Sequence, residues 1–145
     1  QDFVYADGED VTNQLHLPEV TEIVPKVAAI RRVREIAKGT QRELGMSQNT
    51  VMTGRDIGTE IFPEAKYKFF LTASLETRSK RRFEQLKIRD PNLTLEEVIE
   101  QTRQRDRQDS EREVSPMRVP LDAVTIDTTH ITIEQSVEKV FSHLT

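Results

Sequence analysis

Leu95, Val98, Thr102, Arg105, Asp109 and Arg112 follow one another at intervals of three and four residues, so a helix through them carries all six on one stripe. The stripe begins apolar and ends in alternating charge. Charges turned toward a core are costly unless they pair or meet a ligand; the alternative is a solvated helix end, lightly stabilised by pairs such as Arg105 with Asp109. A second group is Gly54-Arg55-Asp56-Ile57-Gly58, directly after Thr50-Val51-Met52-Thr53. In open parallel sheets ligands gather beyond the carboxyl ends of strands, although the same residues also suit a tight turn whose glycines serve the backbone. A third group, Arg78, Lys80, Arg81 and Arg82, either reaches phosphate groups or forms a basic surface.

The three groups have a consistent chemistry. Guanidinium forks match phosphate oxygens, and a carboxylate among them accepts hydrogen bonds from a ribose hydroxyl or a base amino group. Phosphoryl transfer fits best, because it relies on positioning and charge neutralisation rather than on a covalent nucleophile. Competing chemistries lack their residues: there is no cysteine, no Ser-His-Asp arrangement, and His16, His130 and His143 are scattered without metal-ligand spacing. The net charge of -4 and pI near 5.5 argue against a general nucleic-acid binder. With 35% hydrophobic and 32% charged residues over 145 positions, the chain has material for one domain with a modest core. No apolar run approaches the ~20 residues of a membrane span, and the start, Gln1-Asp2-Phe3, lacks a signal-peptide pattern; a cytoplasmic location is expected.

The elements that would position these residues can be read in order. Residues 3–12 predict a hairpin turning at Asp7-Gly8. Residues 13–24 read as irregular, with Pro18 as a breaker. A helix is expected from Pro25 to just before Gly45, burying Val27, Ile30, Arg34, Ala37, Gln41 and Leu44, with Val33 and Ile36 widening that face. Strands are expected at 50–53, 67–71 and 123–127. Helices are expected after Ser74, with Leu75, Ser79, Phe83 and Leu86 inward, and after Thr94 and Thr132. The pairs Thr94 with Glu97 and Thr132 with Gln135 match capping boxes. The last helix should bury Ile133, Val137, Val140 and Leu144. Alternating strands and helices imply a parallel α/β construction.

Over nearly the whole chain the residues resemble the bacterial-type cytidylate kinases. The matching stretches are DGEDVT (7–12), KVAAIRRVRE (26–35), GRDIGTEIFPEA (54–65), FFLTASLETRSKRRFEQL (69–86), RQRDRQDSEREVSPM (103–117) and IDTTHITIEQSVEKV (126–140). The resemblance implies a P-loop, nucleoside monophosphate kinase-like α/β fold: a parallel sheet with flanking helices, incomplete at its N-terminus. Residues 1–24 would be part of the CMP-binding insert, and 25–145 the core, with lid-side helices over 75–112. It implies transfer of the γ-phosphoryl of ATP, carried with Mg2+, to CMP or dCMP, a step of pyrimidine metabolism. Arg34 and Asp56 would address the cytosine edge. Arg55 and Arg112 would hold the CMP phosphate, and Arg105 and Asp109 would contact the ribose and the transferring groups. Arg55, Arg105 and Arg112 would thus be the catalytic arginines, and Arg78 with Arg81 or Arg82 would lie toward ATP. Pro25 stands where the family has a serine contacting the base, and Thr53 where it commonly has Asp.

The family's opening strand and GxxGxGKST-like phosphate loop have no counterpart in these residues: no glycine-rich run is followed by Lys-Ser or Lys-Thr. The expectation is a portion of a longer protein, or a chain whose partner segment lies elsewhere, with little ATP turnover by these residues alone. A non-catalytic CMP-binding module and an RNA-associated protein are the competing readings.

Overall fold

In a computed structural model that describes residues 3–15, 17–88 and 90–144, the chain begins with the expected hairpin. Strands β1 (Tyr5–Ala6) and β2 (Glu9–Asp10) pair antiparallel. Both turn residues have positive φ, 51° at Asp7 and 85° at Gly8, which is why an Asp-Gly pair stands there. His16, Gln1 and Asp2 lie outside the described residues.

From Pro18 onward the stretch read as irregular is helical instead. Helix α1 spans Pro18–Ala28, with Pro18 in its first turn and Pro25 in its interior. A first-turn proline forfeits no hydrogen bond, whereas an interior one does. The helix stops soon after Pro25: Ile30 is extended, and α2 starts afresh at Arg31 and runs to Met46, through Gly39 and Gly45. The covered face of α2 matches the expected one in part: Arg34, Ala37 and Gln41 turn inward as expected, but the apolar members do not. Arg34, Ala37, Lys38, Gln41, Arg42 and Gly45 are partly covered, while Val27, Ile30, Val33, Ile36 and Leu44 are exposed. The polar side is held inward because acidic groups of the 56–64 segment face it.

Strand β3 (Phe69–Thr72) and strand β4 (Val124–Asp127) form a parallel pair, Phe69 opposite Val124 through Thr72 opposite Asp127. Between them run α3 (Leu75–Leu86) and α4 (Leu95–Glu111), which pack on each other. Ser79 and Phe83 lie on the covered side of α3 as expected. The core is small: Ile61, Ala73, Val98 and Ile126 are the buried apolar side chains among the described residues.

Two expectations fail for want of a neighbour. Residues 50–53 are extended but unpaired among the described residues, with Val51 95% exposed; an extended segment becomes a strand only when another chain satisfies its N–H and C=O groups. Helix α5 (Ile133–Phe141) forms where its capping box predicts, yet Ile133, Val137 and Leu144 are exposed, since no element among the described residues covers them. The accessible surface is 11124 Å2, against roughly 7,700 Å2 for a compact monomer of this mass.

Both capping boxes are complete. Thr94 accepts from the Glu97 N–H at 3.3 Å, and the Glu97 carboxylate accepts from the Thr94 N–H at 2.8 Å. The Thr94 N–H, and after it the Thr94 hydroxyl, which also donates to this carboxylate at 2.8 Å, hold the Glu97 carboxyl below its ordinary pKa. Its folded-state value being depressed, Glu97 adds stability above its unfolded pKa, and that contribution is lost as pH falls through the folded one. Thr94→Ala is expected to cost about 1 kcal/mol in urea unfolding at neutral pH, and its deficit should shrink on acidification through the carboxylate range. A deficit that is flat with pH would exclude Glu97 as the partner.

Candidate functional site

The six residues singled out on α2, the 54–58 turn and α4 converge. Asp56 and Asp109 are 7% and 4% exposed, so the α4 stripe turns inward and is not a solvated helix end. Asp56 is ion-paired with Arg34 of α2. Asp109 sits between Arg55, at 2.8 Å, and Arg112, at 3.8 Å. The suggested helix pair of Arg105 with Asp109 does not form: Asp109 is taken by these two partners, and Arg105 has no ion pair among the described residues. Arg112 ends α4, where its Nε donates to the Ser115 carbonyl and its Nη2 lies 4.0 Å from Asp56, beyond hydrogen-bond reach.

Local structure explains how two loops deliver these groups. The turn after Asp56 is π-helical over Ile57–Ile61, with the Asp56 carbonyl accepting from Glu60 and Ile61. Gly54 and Gly58 are there for close approach, since neither has positive φ. A Cβ on Gly58 would stand 2.9 Å from Pro120, and one on Gly54 2.7 Å from Ile57. On the α4 side, the Asp109 carbonyl accepts from Met117 at 2.7 Å, folding residues 113–117 back over the site.

The electrostatics of the cluster are unbalanced. Four guanidinium groups (Arg34, Arg55, Arg105, Arg112) face two carboxylates (Asp56, Asp109), leaving two positive charges unmatched. Burial, above all, lowers the pKa of Arg34, and the charge of Arg112 adds to it against the opposing Glu60. Arg55 is likewise lowered, first by burial; Asp109 and Asp106 oppose this, while Arg105 and Arg112 reinforce it. Arginine stays protonated under such shifts, so the repulsion persists. Arg34 Nε, Arg105 Nε and Arg112 Nη2 are buried with no hydrogen-bond partner among the described residues, as are Asp56 Oδ2 and Asp109 Oδ2, which are engaged only in the ion pairs above. A buried donor without an acceptor is destabilising; a doubly charged oxyanion would supply both the acceptors and the missing charge.

The α3 arginines stand differently. Arg78 pairs with Asp106 of α4 at 2.7 Å and donates to the Ala73 carbonyl at 3.0 Å. Arg81 donates to the Thr128 carbonyl at 2.6 Å, tying α3 to the turn after β4. Arg82 is half-buried and Lys80 exposed; neither has an ion pair among the described residues. Arg78, Asp106 and Arg55 line one end of a cleft of about 1020 Å3, bounded by residues 50–54, by β3, and by Val140 and Leu144 at the C-terminal end. Asp106 was not anticipated from sequence; its spacing of three from Asp109 on α4 was the available signal. Neither were Lys38 and Arg42, which meet the 56–64 segment. Among the described residues no cluster of three His, Asp or Glu side chains is placed to hold a metal ion, and no helix is long and apolar enough to cross a membrane.

Comparison with known proteins agrees with the motifs. The family described as cytidylate kinase matches residues 1–145. The cytidylate kinase of Caldanaerobacter subterraneus subsp. tengcongensis is 46% identical over 138 residues, 95% of this chain and 62% of that protein. That of Clostridioides difficile is 44% identical over 141 residues, 97% of this chain and 65% of that protein. A bifunctional pantoate ligase/cytidylate kinase from Synechococcus sp. (strain JA-3-3Ab) is 45% identical over 137 residues, 94% of this chain and 25% of that longer protein. The chain therefore spans a little over three fifths of the length of the single-function relatives it matches. Matched from its first residue to its last, and carrying the inward arginine–aspartate cluster on the motifs that drew the resemblance, the chain belongs to the cytidylate kinase family.

Proposed function

We propose that this chain supplies the monophosphate-binding part of a kinase that moves the γ-phosphoryl group of ATP onto CMP or dCMP. The observation that carries the reading is the pair of unmatched positive charges together with three buried guanidinium N–H groups that lack acceptors. A nucleoside monophosphate brings a phosphate of about two negative charges. Arg55 and Arg112 would grip its oxygens. Arg34 would donate to the cytosine ring acceptors, while Asp56 accepts from the exocyclic amino group. Arg105 and Asp109 would lie against the ribose and the transferring group. No general base is needed, since the attacking phosphate oxygen is already ionised.

ATP, with its magnesium, would enter from the cleft side, where Arg78, Arg81 and Arg82 are the candidate contacts. No residue of this chain is assigned to the metal. Residues 1–24 would belong to the CMP-binding insert and 25–145 to the core. The cleft between residues 50–54 and β3, and the surface in excess of a compact monomer, support a further parallel strand supplied by polypeptide outside these residues. The phosphate loop would come with it, and the completed sheet would be of the P-loop type.

A thermal melt of the chain with CMP, UMP and ATP tests the site. A ligand present at 100 times its Kd stabilises the folded form by about 2.7 kcal/mol. CMP is expected to raise the melting temperature clearly, UMP little, and ATP not at all. A cooperative melt that no nucleotide shifts would overturn the reading. CMP binding without ADP production, once a phosphate-loop segment is joined on, would instead make the chain a binding module.

A further inference from the structure

Arg34, Lys38 and Arg42 stand four apart on α2, and Asp56, Glu60 and Glu64 stand four apart on the segment facing it. The pairs meet in order. Arg34 takes Asp56, Lys38 reaches Glu60 at 3.7 Å, and Arg42 reaches Glu64 at 2.5 Å. The last rung is the most elaborate. Arg42 also donates to the carbonyl of fully buried Ile61, and its guanidinium lies 5.1 Å from the centre of the Phe62 ring. Next to it, Gly45 leaves room for that ring, since a Cβ there would stand 2.5 Å from Phe62 Cζ.

A four-residue step along a helix advances about 6 Å and overshoots a full turn by about 40°, so the three cations form a slanted row along one side of α2. The facing segment is not a regular helix: it makes one π-helical turn and then passes Pro63. Its match to that row is set rung by rung. Exposed ion pairs contribute little to stability, and the outer two rungs are substantially exposed whereas the inner one is buried. Their value is in alignment. With Arg42 anchored at Ile61 and Lys38 at Glu60, α2 can neither slide nor roll against the turn, and Arg34 is delivered to Asp56 in one orientation.

We infer that Lys38 and Arg42 are positioning residues for base recognition, acting through the Arg34–Asp56 pair without touching the nucleotide. The inference rests on the proposed cytosine-reading role of that pair, and one readout is chosen to be independent of it.

The test measures three things in the 145-residue chain and in Arg42→Ala, Arg42→Lys and Lys38→Ala: the Arg34 Nε–H resonance by NMR, CMP affinity by calorimetry, and the ratio of CMP to UMP affinity. Arg42→Ala is expected to shift or broaden the Arg34 resonance, to weaken CMP about tenfold and to narrow the CMP preference by a similar factor. Arg42→Lys, which keeps the charge but loses the fork, should fall between. Lys38→Ala, at an exposed rung that folding can spare, should show the same changes more weakly. If both alanine variants leave the Arg34 resonance and the CMP preference as they were, with only the melting temperature lowered, the ladder is a structural brace and the inference falls. If the unaltered chain shows no preference for CMP, the base-reading proposal falls instead, and the Arg34 resonance alone decides whether the ladder positions that pair.

Discussion

Asp109→Ala is expected to destabilise the chain by about 3–5 kcal/mol, the cost of leaving buried charge uncompensated. The carboxylate stands between Arg55 and Arg112 and is almost wholly buried. Most of the cost should come from Arg112, whose side chain is 10% exposed; Arg55, at 36%, is partly screened by solvent. Removing Asp109 raises the unmatched charge of the cluster from two to three. Added phosphate or CMP should therefore recover more stability in the variant than it adds to the parent. Asp109→Asn, which keeps an acceptor in place, should lose less. Urea unfolding with and without phosphate reads both effects. A variant within about 1 kcal/mol of the parent, or one that phosphate does not rescue, would show that Asp109 does not balance an anion site.

Arg112→Ala should weaken CMP by about a hundredfold to a thousandfold, as expected when two charge-assisted hydrogen bonds to phosphate are lost, while cytidine affinity stays within about twofold. Arg112 has two jobs that this comparison separates. Its Nε holds the Ser115 carbonyl, bracing the loop after α4, while its Nη2 is one of the buried donors without an acceptor. If only the brace mattered, cytidine and CMP would lose affinity together. Calorimetry with both ligands settles which job binding uses.

Features set by a few neighbouring residues were legible in the sequence. The Asp7-Gly8 turn and the two capping boxes stand where local chemistry puts them, and the α4 stripe has its expected spacing, although spacing alone left open whether it faced the core or solvent. Features that depend on a distant partner were not. Among the described residues, 50–53 have strand composition but no strand to pair with, and Ile133 and Val137 of α5 are left exposed. The buried side of α2 was legible only in part: Arg34, Ala37 and Gln41 turn inward as their spacing suggests, but pairing with Asp56, Glu60 and Glu64 brings Lys38 and Arg42 in beside them and leaves the apolar members exposed. The spacing of those six charges was readable, but that the two rows face each other is a tertiary fact. The cluster was thus identified through its members, whereas its surplus charge and unpaired donors emerge only when α2, the 54–58 turn and α4 are brought together.

The pairing of β3 with β4 also has a consequence in time. Thr72 and its partner Asp127 are separated by the whole of α3, α4 and the loops around them. As the chain folds, this non-local pairing must close over all of that chain and is slow to form, leaving an interval before β3 meets β4. The α3–α4 hairpin, whose contacts are close in sequence, can form in that interval. Arg78 already ties the start of α3 to α4, and Arg81 waits for Thr128. A chain caught in that interval would therefore hold a folded helical hairpin beside a bare strand edge, open to the wrong partner until β4 arrives.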